Sequence, residues 1–161
     1  MNILVIGGTR FFGIHMVNEL LTAGYDVTIA TRGKASDSFG DKVKRIFLER
    51  TKEESVREAL SGTHYDVVID KIAYCSNDIK YVMDVIDCDK YIYMSSTSVY
   101  NPKHINTVEA DFDGIENELI WCDRKAFHYE QIKRQAECAL WQQYPEKNWI
   151  AVRYPFAIGK D

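Results

Sequence analysis

The chain opens on a short, unbroken apolar run, Ile3-Leu4-Val5-Ile6, that passes directly into a glycine-punctuated turn, Gly7-Gly8-Thr9-Arg10-Phe11-Phe12-Gly13. A continuously apolar strand is buried on both faces, which requires covering layers above and below a parallel sheet. Glycines at its carboxyl end let the backbone turn sharply into a helix. That helix is legible in Phe12, His15, Met16, Val17, Leu20 and Leu21, which recur at helical spacing until Gly24 supplies a stop.

The same alternation continues down the chain. Tyr25 to Thr31 carries a second strand, and the polar stretch from Arg32 to Asp41 reads as a surface loop. Val43 to Leu48 reads as a third strand, residues 53–60 as a helix, and Tyr65 to Asp70 as a fourth strand. A helix over Asp78 to Ile86 and a strand over Lys90 to Met94 follow. An irregular acidic stretch from Asn101 to Asp123 precedes a long helix from about Lys125 to Gln143 and a final strand over Trp149 to Val152. Strands and helices in this order demand right-handed crossovers and an α/β architecture: a doubly wound parallel sheet of about six strands, the Rossmann fold, with helices on both faces.

At 161 residues with 46% hydrophobic content, one domain with a substantial core is expected. The formal net charge of −4 argues against nucleic acid as a partner. Cys75, Cys88, Cys122 and Cys138 are widely spaced, without a zinc-type pattern, and read as reduced packing thiols; no metal is expected. The first strand runs straight into the turn with no leader-like apolar region, and no apolar stretch approaches bilayer length. A cytoplasmic protein without membrane contact is the expectation.

The glycine turn has the makings of a pyrophosphate site, because a dinucleotide needs a closely approaching backbone and the positive end of a helix. Gly7, Gly8, Thr9, Arg10, Phe11, Phe12 and Gly13 are the candidate cofactor residues. The spacing is not G-x-G-x-x-G, so its position between a first strand and a first helix carries the argument. Cofactor choice is written after the second strand, where an acid would take a ribose 2′-hydroxyl and a base a 2′-phosphate. Arg32, with Arg10 and Lys34 as helpers, favours NADP over NAD. Asp37 folding back onto the ribose is the NAD alternative.

Further on, Tyr129 and Lys133 lie four apart on a helix and so emerge on one face. Lowering a phenol by three pKa units takes about 4 kcal/mol, which an ammonium about 4 Å away at an effective dielectric near 20 supplies. Lys133 would then make Tyr129 a working acid/base. Alone the pair reads better as two surface residues on an amphipathic helix, and its company changes that reading. Ser96, at the carboxyl end of the fifth strand, adds a hydroxyl able to bond a substrate oxygen, with Thr97 and Ser98 as runners-up and turn capping as the plainer role for this serine cluster. The apolar residues Phe127, Ile132, Ala136, Ala139 and Leu140 of the long helix serve either to pack on the sheet or to form a homodimer through the Lys125-Gln143 helix.

These motifs, taken in order, resemble the extended short-chain dehydrogenase/reductase superfamily, which includes nucleotide-sugar epimerases and dehydratases. Gly7 to Gly13 resembles its glycine turn, Ser95 to Tyr100 its fifth-strand active-site segment, Tyr129-x-x-x-Lys133 with Glu137 its catalytic helix, and Arg153 to Gly159 the segment leading into its substrate domain. The resemblance implies Ser96, Tyr129 and Lys133 as catalytic residues, with Lys133 also holding the nicotinamide ribose. It further implies hydride transfer at a carbinol carbon of a small-molecule substrate such as a nucleotide sugar. Arg10 in place of the middle glycine resembles a branch that includes chloroplast stem-loop RNA-binding members, so a non-catalytic dinucleotide-binding or RNA-binding role is the alternative. The superfamily's smaller C-terminal substrate domain has no counterpart in the sequence, and a fragment with little activity of its own is expected.

Overall fold

The computed structural model describes residues 1–159. Six parallel strands, β1 (Asn2–Ile6), β2 (Asp26–Thr31), β3 (Lys44–Phe47), β4 (His64–Asp70), β5 (Asp87–Met94) and β6 (Trp149–Val152), form one sheet in the order β3-β2-β1-β4-β5-β6. Four helices connect them: α1 (Phe12–Thr22), α2 (Glu53–Leu60), α3 (Ser76–Met83) and α4 (Tyr129–Gln143). The chain winds outward from β1 to β3, then crosses back to β4 and winds the other way. The reversal falls between β1 and β4, where open α/β sheets form a ligand crevice beyond the carboxyl ends of their strands.

Alternate residues of each strand feed two cores. Leu4 and Ile6 join Val68, Tyr91 and Tyr93 under α2, α3 and α4, whose Val56, Leu60, Ile79, Val82, Ala136, Ala139 and Leu140 are buried there. Ile3, Val5, Val27 and Ile29 pack on the opposite face against Val17 of α1 and Phe39 of the loop after β2. Double-sided burial is why β1 lacks the polar alternation of a half-exposed strand.

Two sequence expectations shift, the starts of the long helix and of the fifth strand. The long helix starts at Tyr129, not near Lys125, because Ala126 N closes a turn on Asp123 O and His128 is extended (φ −65, ψ 159). Of the apolar stripe of that helix, Ile132, Ala136, Ala139 and Leu140 are buried in the chain's own cores, while Phe127 before the helix and Trp141 on it are exposed. The fifth strand begins at Asp87, three residues early, because backbone pairing with β4 (His64↔Asp87) continues past the apolar residues. The four thiols are free, and burial pushes Cys75 up to about 12 and Cys138 up to about 11, so both are packing groups. No helix among the described residues is long and apolar enough to cross a membrane.

Candidate functional site

The turn after β1 is built for close approach. Gly7 and Gly8 adopt φ of 101° and 102°, in the region that disfavours a side chain. Gly13 is required for a different reason: a Cβ there would lie 2.9 Å from Gly8 Cα and 3.0 Å from Lys71 Cδ. The first turn of α1 therefore rests on the glycine backbone, bringing the helix's N-terminus to the crevice floor. Phe11, at φ 54°, is the bend into α1 and turns its ring against Phe12.

Above this turn lies a cleft of about 440 Å³ whose wall includes Gly7, Gly8, Thr9 and Arg10. Arg10, Arg32, Lys34, Arg50, Lys71 and Arg124 line it against one carboxylate, Glu49. Such an excess of cations suits a ligand carrying several phosphates. Asp37 is engaged elsewhere: Arg45 grips both its oxygens at 2.8 Å, and this guanidinium holds the carboxyl below its ordinary value. Arg50 is buried and anchored, with Nη2 on Asp70 Oδ2 (2.5 Å) and on Asp78 O (2.8 Å). Asp70 in turn accepts from Tyr91 OH and from the amides of Ile72 and Ala73, which fixes the loop leaving β4.

A second cleft, of about 400 Å³, opens from the first and shares Lys71, Ile72 and Tyr74 with it. Ser96, Tyr129, Phe11, Phe12, Lys103 and Tyr154 are among its walls. The glycine turn and the hydroxyl pair thus lie on one continuous crevice. Ser96 and Tyr129 both line this second cleft, and Ser96 acts to lower the Tyr129 phenol. Ser96 Oγ also accepts from Ser98 N at 3.1 Å, capping the short turn after β5 from a position in the cleft wall. Ser95 points away, into the core.

Lys133 departs from expectation. It is 2% exposed, lines neither cleft, and donates from Nζ to Ala73 O at 3.0 Å and Met94 O at 2.8 Å. Burial lowers it to about 7, against the opposing pull of Asp70, Glu137 and Asp78. Tyr129 is raised, first by burial and then by Tyr74, while only Ser96 works to lower it. Helical spacing puts the lysine on the correct face of α4, but the side chain turns inward and spans the ends of β4 and β5, so its charge does not depress the phenol.

Behind this pair sits Glu137, completely buried one turn beyond Lys133. It accepts from Ser95 Oγ at 2.5 Å and from Arg153 Nη2 at 2.6 Å, with Arg153 Nε within 3.1 Å of both its oxygens. Arg153 also donates to Tyr100 OH, Glu109 O and Phe112 O. One carboxylate thus ties the strand end that carries Ser96 to the segment that carries Tyr154.

Residues 3–160 match the NAD dependent epimerase/dehydratase family. The chain belongs to that family. It is 31% identical over 171 residues to the chloroplast stem-loop binding protein of 41 kDa b of Arabidopsis thaliana, a match covering 98% of this chain and 42% of the relative. An epimerase from Methanothermobacter thermautotrophicus superposes with a TM-score of 0.71 at 16% identity, over 94% of this chain and 50% of that one. A short-chain dehydrogenase/reductase superfamily protein from Agrobacterium tumefaciens, solved with bound NAD, gives a TM-score of 0.67 at 16% identity, over 95% and 48%. The chain therefore spans about half the length of the relatives it matches. Family membership and fold together support a nicotinamide dinucleotide as cofactor, and the close-packed Gly8–Gly13 turn fits one.

Sequence reasoning missed Lys71, Tyr74 and Arg124. The first two follow directly on β4, and the rule that ligands bind beyond parallel-strand carboxyl ends could have found them. Arg124 arises from irregular chain and carries no motif.

Proposed function

We propose that the chain is the dinucleotide-binding part of an NADP(H)-dependent enzyme of the epimerase, dehydratase or reductase type, acting at a carbinol carbon of a sugar-like small molecule. The observation that carries this reading is that the Ser96 and Tyr129 side chains line one cleft, which shares Lys71, Ile72 and Tyr74 with the glycine-turn cleft. A bound nicotinamide would supply the hydride acceptor or donor. Ser96 would hold the substrate oxygen, and Tyr129, 43% exposed, would exchange its proton there. Lys133, by bonding Met94 O and Ala73 O, holds α4 against the strand ends and so sets where Tyr129 stands. Arg32 and Lys34 support NADP, since Asp37 is held by Arg45.

The test is titration of the purified chain with NADPH and NADH, following reduced-nicotinamide fluorescence, beside Arg32→Ala. Tighter NADPH binding that Arg32→Ala weakens is expected. Equal affinity for both would remove the NADP assignment, and no binding by a folded sample would remove the cofactor site.

A second reading, RNA binding, is favoured by the stem-loop binding relative and by the cationic cleft. Filter binding across a salt series separates the two, because RNA held through phosphates loses affinity steeply as salt rises.

A further inference from the structure

Arg124 stands apart from the other cations of the first cleft. It is carried by the irregular chain between β5 and α4, far in sequence from the glycine turn, yet lines the same cleft as Gly7, Gly8 and Arg10. Its position is fixed at two points: Nε donates to Asp78 Oδ2 at 2.9 Å and Nη2 to Ile72 O at 2.7 Å. Its guanidinium also stacks over the Tyr74 ring, 4.9 Å from the centroid. Among the described residues Nη1 has no hydrogen-bond partner, and the side chain remains 31% exposed. A guanidinium held on one edge and stacked on an aromatic has lost its rotamer freedom in advance, so its free edge binds an acceptor with little further ordering.

We propose that Arg124 is a ligand-binding residue of this cleft, presenting its free edge to a phosphate of the bound dinucleotide. The proposal rests on the dinucleotide reading above and deepens it. Tyr74 makes the contact consequential, because it lines both clefts and meets the Tyr129 ring edge-on, with centroids 6.0 Å apart. Through that stack Arg124 also steadies the tyrosine that shares the second cleft with Ser96. The loop cation thereby links phosphate binding in one cleft to the wall of the other.

The test compares wild type, Arg124→Gln and Arg124→Lys for NADPH affinity, for inorganic pyrophosphate affinity by calorimetry, and for urea midpoint. Loss of one charge-assisted hydrogen bond predicts NADPH binding about ten- to a hundredfold weaker in Arg124→Gln. Arg124→Lys should recover part of that loss, and the difference from wild type should shrink as salt rises. A urea midpoint that falls while NADPH affinity stays at the wild-type level would overturn the proposal and leave Arg124 a loop anchor. Should wild type fail to bind NADPH but bind pyrophosphate in an Arg124-dependent way, the phosphate contact stands and the dinucleotide reading falls. Binding of neither probe by wild type would overturn both.

Discussion

Replacing Lys133 with methionine reverses its effect on stability across the alkaline range. The wild-type amine is lowered from 10.5 to about 7 by burial. Between those values the unfolded chain binds a proton that the folded chain does not, so wild-type stability rises with pH through that window. The rise from pH 7 to pH 10.5 is worth about 4 kcal/mol for this one group. Methionine abolishes that dependence but leaves Ala73 O and Met94 O without their donor, a pH-independent loss of about 2 kcal/mol for two hydrogen bonds. The variant should therefore be more stable than wild type by about 2 kcal/mol at pH 7 and less stable by a similar amount near pH 10.5. The two should be equal near pH 9, by the same balance. Urea unfolding of both proteins at half-unit pH steps measures this, since the other titrating groups cancel in the difference. A difference flat from pH 7 to pH 10.5 would refute the lowered lysine.

Gly13→Ala drives a methyl to 2.9 Å from Gly8 Cα; overpacking of this kind costs about 1–3 kcal/mol, and NADPH titration should show binding reduced at least tenfold, a loss of about 1.4 kcal/mol. Glu137→Ala strands Arg153 beside the core, where breaking a buried ion pair costs about 3–5 kcal/mol; urea denaturation reads it, and a midpoint within error of wild type would remove the network from the stability of the fold. Tyr129→Phe should leave the NADPH dissociation constant within about threefold, since no uniform binding contact is lost, while the turnover proposed above disappears; near-normal turnover would take Tyr129 out of the mechanism.

Apolar period and glycine punctuation made most of the fold legible. β1, α1, α2, β4 and β6 lie where runs of Ile, Leu and Val or helical spacing put them. The start of β5 was hidden because Asp87 pairs with His64 and Asp89 lies within the strand while both carry surface charge. The start of α4 was hidden because residues 125–128 look helical, yet the chain there follows a turn whose Arg124 is tied to Asp78. At the site, the positions of Ser96, Tyr129 and the glycine turn were legible, since each belongs to a local pattern at a strand or helix end. The electrostatics were not. Sequence spacing gives the face on which Lys133 emerges, but its surroundings, and so its charge, depend on β4 and β5 closing over it.

The Glu137 network bears on how freely this scaffold can be altered. Ser96 hangs from a strand end that Ser95 pins to that carboxylate, and Tyr154 directly follows the arginine that pins its other side. The acidic loop is held to the same arginine through Glu109 and Phe112 carbonyls. Segments that look like independent modules therefore share one fastening. Grafting a loop or exit segment from a relative would transplant cleanly only if the incoming piece brought an arginine able to close on Glu137, so the evolvable unit here is the fastened group and not the single loop.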